Sequence, residues 1–382
     1  MRERSVKVLH VINGLHMGGA EMMLYKLLSQ MDRSSFHTKV ICLIDIGPMG
    51  DRIRALGVPV RSLGMRRGVP NPIALLRLSD WLRHDPPDLI QTWLYHADLI
   101  GGLAAKLADG TPVAWGIRYS TFDSEKPKRM SVWTVKACAR LSRWLPARIV
   151  CCSEASYQVH REIGYASEKM VVIPNGFDLA VFKPDPAARL SVRQELGISL
   201  NAPLVGFVAR FDPQKDHKRF VLAAAKLHAR LPECHFLLCG DGITWENSDL
   251  IDWISTPSLR DRFHLLGRRH DIPRLTAALD IATTSSAYGE AFPNVIGEAM
   301  SCGVPCVVTN VGDSALIVGD TGVVVPPRDA EALADGWRRL LLEMNQEERG
   351  QLGLAARHRI KLKYNLTDIA VQYENLYESL AA

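Results

Sequence analysis

No apolar run in this 382-residue chain approaches the roughly 20 residues that a membrane-spanning helix needs. The opening MRERSVKVLHVI is basic and then only briefly apolar, so KVLHVI reads as a first strand rather than as a signal-peptide core. The eight cysteines contain no CxxC with a matching second pair. That argues against a zinc site and against a disulfide framework, and makes a reducing cytoplasm the expectation. No Asp-x-Asp is present to hold a metal on a diphosphate, and no GxGxxG marks a dinucleotide site. With 47% hydrophobic and 23% charged residues, disorder, collagen and coiled coil are excluded as descriptions of the whole chain.

What is present is uneven in charge. Residues 1–177 hold 24 Lys and Arg against 15 Asp and Glu, a net +9, whereas the remainder holds 22 against 26, a net −4. A basic N-terminal half is expected to face something anionic.

Strands and helices alternate along the chain. Short Val- and Ile-rich segments at 7–12, 38–44, 58–63, 88–93, 112–117, 148–153 and 170–174 read as strands, with helical stretches at 20–30, 71–83, 98–108, 126–145 and 154–163. Near-continuous apolar strands with helical crossovers predict a parallel sheet covered on both faces. Residues 174–203 hold four prolines and read as a linker with a short helix. A second series follows, with strands at 204–210, 235–239, 263–266, 280–285, 305–309 and near 322–325. The fold class is therefore α/β, with two doubly wound, Rossmann-like domains at 1–177 and 178–363; a last helix, within 364–382, is expected to pack back on the first domain. Such sheets bind ligands at the carboxyl ends of their strands, so a cleft between the domains is the expected site.

Three motifs fall at such strand ends. NGLHMGGAE (13–21) follows the first strand; Gly18 and Gly19 leave room for a close ligand, and the next helix offers unpaired N–H groups to an anion. A plain tight turn would read the same way. VARFDPQKDH (208–217) places Arg210 and Lys215 where a planar fork and a point charge converge on a diphosphate, unless both are solvated surface cations. YGEAFPNVIGEAMSCGVPCVVT (288–309) carries Glu290 and Glu298, which on one continuous helix would stand about 12 Å apart, too far for a close carboxylate pair. Pro293 and Asn294 are read as opening the helix, leaving Glu290 in the preceding loop and Glu298 in the second turn. Free N–H groups around Ala291–Asn294 would then serve a ligand; a capped helix with acidic residues near its start is the competing reading.

These stretches resemble a family. GEAFPNVIGEAMSCGVPCVVT is similar to the Glu-x7-Glu motif of retaining GT-B glycosyltransferases of glycosyltransferase family 4, and VARFDPQKDH to that family's Arg…Lys phosphate motif. NGLHMGGAE resembles its glycine loop, and VVIPNGFDLAVFKPD its interdomain linker. One departure is Ala291, where the family commonly has Gly. The resemblance implies a GT-B fold and transfer of a sugar from a nucleotide diphosphate sugar, with UDP expected before GDP-mannose. Arg210 and Lys215 would neutralise the diphosphate, and Glu298 would accept from the ribose hydroxyls. Glu290 and the backbone of Ala291, Phe292, Pro293 and Asn294 would hold the sugar. Gly18 and Gly19 would let the N-terminal domain close over the phosphates. His96, in TWLYHADLIGG, looks like the sugar-contacting histidine; Arg268 falls in the base-binding loop, and Gly240, in CGDG, in the turn beside the nucleotide. Catalytic roles would fall to Glu290, His96, Arg210 and Lys215, with no metal and no cofactor, the nucleotide sugar being a co-substrate. A sugar-nucleotide epimerase and a catalytically silent nucleotide-binding subunit are the rival readings.

The expected acceptor is a sugar or lipid-linked hydroxyl, in surface polysaccharide or glycolipid synthesis. KPKRMSVWTVKACARLSRWLPAR (126–148) holds seven basic residues, no acidic one, and Trp133 and Trp144. That composition suits an anionic bilayer surface, at the inner face of the cytoplasmic membrane. No recognition motif for nucleic acid accompanies it, and a packed helix with a solvated basic face is the competing reading.

Overall fold

The computed structural model describes residues 5–66, 71–120 and 129–382. The chain divides into two compact units, one of Met1–Gly176 with Leu366–Ala382, the other of Phe177–Asn365. The first holds a sheet of β1 (Val6–Ile12), β2 (Phe36–Cys42), β3 (Val60–Ser62), β4 (Leu89–Trp93), β5 (Val113–Ile117), β6 (Arg148–Cys151) and β7 (Met170–Val172). Their spatial order is β3-β2-β1-β4-β5-β6-β7, and every pairing is parallel. The second holds β8 (Leu204–Val208), β9 (His235–Cys239), β10 (Phe263–Leu265), β11 (Ile281–Thr284), β12 (Cys306–Thr309) and β13 (Gly322–Val325), parallel in the order β10-β9-β8-β11-β12-β13.

Both sheets reverse direction once, between β1 and β4 and between β8 and β11. At such a switch the two flanking loops leave in opposite directions and open a crevice at the strands' carboxyl ends. The central strands are buried on both faces, as β4, β5 and β9 are throughout. This explains their apolar runs without alternation.

The C-terminal helix Leu366–Ala381 belongs to the first unit's core, where Ile369, Tyr373 and Tyr377 are fully buried with Leu24, Phe36 and Trp93. Arg118, just past β5, donates to Asn175 Oδ1 at 2.8 Å and to the Tyr373 hydroxyl at 2.6 Å, and its guanidinium lies 4.3 Å over the Trp93 ring. The Trp93 indole Nε1–H donates to His10 Nδ1 at 3.2 Å. Burial among these rings lowers the His10 imidazole to about 3, so it stays neutral.

The helix Pro186–Glu195, read from sequence as part of a linker, is built into the second unit. Its Arg193 is fully buried and pairs with Asp280 Oδ2 at 2.6 Å.

Candidate active site

In the second unit the candidates meet at the β8/β11 switch. Beyond β8, Pro213 opens a tight turn over Pro213–Lys215, and Asp212 caps it by accepting from the Gln214 N–H at 3.0 Å. Asp216 then adopts a left-handed conformation (φ 48°), which aspartate tolerates better than most residues, and opens the helix His217–His228. This double turn carries the Lys215 side chain to the loop leaving β11, where Nζ pairs with Glu290 Oε1. The two side chains are only 17% and 10% exposed.

The same carboxylate oxygen accepts from Ser286 Oγ at 2.7 Å. Two further bonds sew the loops together: the Ala287 N–H donates to the Gln214 carbonyl at 2.9 Å, and Ser285 Oγ to the Lys215 carbonyl at 2.9 Å. Behind Glu290 stands Gly312, at φ 58°; a Cβ there would lie 2.1 Å from the Glu290 carbonyl oxygen, so a side chain would push the two loops apart. A buried ion pair of this kind adds little net stability, because desolvation cancels most of the attraction. Here the pair holds one cation and one anion together between the loops that leave β8 and β11.

Pro293 caps the helix Asn294–Ser301 at its N-terminus, which leaves Glu290 in the loop and puts Glu298 in the second turn. Glu298 is half-buried and lines a narrow crevice with Val208, Thr284 and Val295. Ala291 and Phe292 are buried. The Phe292 ring stacks on Phe177 (6.0 Å between centroids) and meets Tyr364 edge-on, so the ring is committed to packing.

Arg210 lies two residues beyond β8 and is exposed, its Nε donating to Asp212 Oδ2 at 3.0 Å. Gly240 packs against this backbone: a Cβ there would sit 2.1 Å from the Ala209 carbonyl oxygen. The next residue, Asp241, pairs with Arg268 at 2.9 Å, both exposed. The structure thus brings Lys215 to Glu290, and Arg210 to Gly240 and the Asp241–Arg268 pair. Arg210 and Lys215 each engage a carboxylate of their own.

In the first unit the candidates flank the β1/β4 switch. His96 is the second residue of the helix Tyr95–Leu107, which starts three residues before the boundary expected from sequence. Two features outside the local pattern set that start. Leu94 takes φ 75° between strand and helix, and Asn13, at the head of the glycine loop, accepts from the Ala97 N–H at 3.0 Å. Asp98 is buried below, accepting from Thr92 Oγ1 at 2.5 Å and from the Gly116 N–H at 3.1 Å. Burial raises its carboxyl to about 7. His96 itself is half-buried, and that burial lowers its imidazole. Gly18 and Gly19 are exposed at the start of the helix Gly19–Gln30, with Gly18 in extended backbone.

Asn13, Ser286 and Gly312 do not stand out in the sequence. An asparagine directly after a strand and a Gly-Asp pair after another are visible turn signals, but their partners are far off in sequence.

Residues 17–181 match Glycosyltransferase Family 4, and residues 202–343 match the Glycosyl transferases group 1. The chain belongs to the group 1 glycosyltransferases. This glycosyltransferase is 26% identical over 349 residues to the UDP-Gal:alpha-D-GlcNAc-diphosphoundecaprenol alpha-1,3-galactosyltransferase of Escherichia coli, covering 88% of each chain. It is 30% identical over 188 residues to the N-acetyl-alpha-D-glucosaminyl L-malate synthase of Bacillus anthracis, an alignment of 49% of this chain and 48% of that one. Its fold superposes on Anabaena HepE, solved in complex with UDP, with a TM-score of 0.85 at 24% identity, over 98% of this chain and all of that one. The glycosyltransferase fold here is GT-B.

Proposed function

We propose that this glycosyltransferase moves a sugar from a UDP-sugar to a hydroxyl of a sugar or lipid-linked acceptor, with retention at the anomeric carbon and without a metal. The observation that carries the reading is the Lys215–Glu290 pair across the β8/β11 switch, a nearly buried cation beside a nearly buried acceptor group. When the anomeric C–O bond breaks, its electron pair goes to the leaving diphosphate. Lys215 and Arg210 stabilise that charge most where it is largest, in the transition state. Glu290 and the backbone of Ala291, Phe292, Pro293 and Asn294 hold the sugar hydroxyls, and Glu298 accepts from the ribose. From the first unit, His96 serves as a sugar contact, its burial favouring the neutral imidazole, and Gly18 and Gly19 leave room for the phosphates. The acceptor oxygen attacks from the face the diphosphate leaves, and the acceptor proton passes to the departing phosphate oxygen.

UDP is favoured over GDP-mannose because the Escherichia coli relative is named for UDP-Gal and HepE was solved with UDP. A lipid-linked acceptor is favoured because that relative's name carries a diphosphoundecaprenol acceptor.

The test is transfer from a panel of UDP-sugars and GDP-mannose to lipid-linked and free sugar acceptors, with the anomeric configuration of the product read by NMR. An α-linked product from an α-linked UDP donor is expected. A β-linked product would overturn retention. Donor conversion without acceptor would point to an epimerase, and inertness towards every donor to a silent nucleotide-binding subunit.

A further inference from the structure

Of the eight tryptophans in the chain, six are buried or half-buried. The two exceptions, Trp133 and Trp144, are 71% and 70% exposed, and both belong to the basic stretch singled out from sequence. The helix Arg129–Leu141 runs through this stretch, and Trp144 N–H and Leu145 N–H both donate to the Leu141 carbonyl, so the winding continues past the helix end. Lys126, Lys128 and the side chain of Arg129 lie outside the described residues.

At about 100° per residue, Trp133, Lys136, Arg140, Arg143 and Trp144 fall within an arc of about 100°, and all five are exposed. Val135, Cys138, Ala139 and Ser142 fall on the opposite side and are buried. The helix therefore has an anchoring face elsewhere, and among the described residues of the first unit nothing in the packing calls for indoles on the outward side. An outward face made of three cations between two indoles is complementary to one surface in particular. Anionic headgroups take the charges, and the boundary between headgroups and acyl chains takes amphipathic rings. An acidic protein surface or a nucleic acid would use the cations and leave the indoles in water or on a rigid partner.

We propose that this face docks on an anionic lipid bilayer, the helix lying in the plane of the surface with Trp133 and Trp144 in the headgroup–acyl boundary. The inference goes beyond the sugar-transfer reading and does not depend on it, since docking requires no donor. Among the described residues no helix is long and apolar enough to cross a membrane, so the contact is one of attachment to a surface.

The experiment is co-sedimentation of the full chain with phosphatidylglycerol/phosphatidylcholine vesicles and with pure phosphatidylcholine vesicles, at low and high salt, with quenching of tryptophan fluorescence by doxyl-labelled lipid. Each cation near an anionic surface contributes about fivefold to partitioning, so K136S/R140S/R143S is expected to bind about a hundredfold more weakly. W133S/W144S is expected to lose the doxyl quenching. These side chains are exposed, and circular dichroism confirms that each variant folds. Failure to bind anionic vesicles at low salt overturns the proposal. So does binding unchanged in the triple variant, and so does equal affinity for duplex DNA without quenching by lipid, which would mark a general polyanion surface.

Discussion

Replacing Lys215 by methionine removes a charge and keeps most of the side-chain volume. The partner left behind is the Glu290 carboxylate, whose side chain is 10% exposed and which keeps the Ser286 hydroxyl as a donor. Breaking a buried pair from one side costs about 3–5 kcal/mol, and the surviving hydroxyl argues for the low end, about 3 kcal/mol. In a unit the size of Phe177–Asn365, each kcal/mol moves the unfolding midpoint by roughly 2–4 °C, so Lys215→Met should lower it by about 6–12 °C. Transfer should fall tenfold to a hundredfold, as expected for a charge-assisted contact of about 1.5–3 kcal/mol lost from the transition state. The decisive protein is the double variant Lys215→Met/Glu290→Gln. With neither charge buried, much of the lost stability should return, because the amide still bonds Ser286. Activity should not return, because the cation for the diphosphate is still missing. Differential scanning calorimetry and initial-rate kinetics on the four proteins of the cycle measure both. A double variant no more stable than Lys215→Met, or one that regains turnover, would refute the assignment of Lys215 as a functional cation held by Glu290.

Arg210→Ala should lower kcat/KM by tenfold or more and change the unfolding midpoint little, since its side chain is 58% exposed and its half-buried partner Asp212 still accepts from the Gln214 N–H; a drop in midpoint without loss of rate would make Arg210 a structural residue. Transfer should persist in excess EDTA, checked by initial rates; complete loss restored by magnesium or manganese would show that the cationic side chains do not suffice. Stability should fall on acidification below about pH 6.5. His10, His160 and His217 are buried with imidazoles lowered to about 3, 4 and 4, so below the unfolded value near 6.5 the unfolded chain takes up protons that the folded chain refuses. Each costs about 1.4 kcal/mol per pH unit in that window; the hydrogen-bonded His235 and His264, both lowered to about 4, add to the loss, and Asp98, raised to about 7, offsets one histidine, so the net slope is at least roughly 3 kcal/mol per unit. Unfolding midpoints at pH 7.5, 6.5 and 5.5 give the slope, and a flat profile would contradict the burial of these histidines.

The parallel sheets were legible because burial on both faces writes itself into consecutive residues, as in LVGFV at β8 and HFLLC at β9. The helix Asn294–Ser301 was legible because proline marks its start locally. Other features depend on partners the local pattern does not contain. The start of the Tyr95–Leu107 helix is set by Asn13 and by the positive φ of Leu94, so the boundary read from apolar periodicity fell short. The helix Pro48–Ala55 escaped notice because PMGDRIRA mixes charge, glycine and proline with only a few apolar positions. The pairing of Lys215 with Glu290 joins loops 75 positions apart, and only the strand order, in which β11 lies against β8, puts them side by side.

The first unit is interrupted: its sheet is finished by Val172, yet its core is not, because Tyr373 and Tyr377 arrive at the far end of the chain. On the ribosome, residues 177–365 are therefore complete as a contiguous unit before the earlier one can close. Until then Phe36 and Trp93 have no aromatic cover from the last helix. A nascent chain stalled in the second unit carries an open apolar face that a chaperone can hold. The same interruption governs recombination between relatives. A chimera that exchanges the second unit by a single crossover near Gly176 mates one parent's β1 and β4 with the other parent's closing helix. Two crossovers, one at each seam, keep Arg118 and Tyr373 from the same parent.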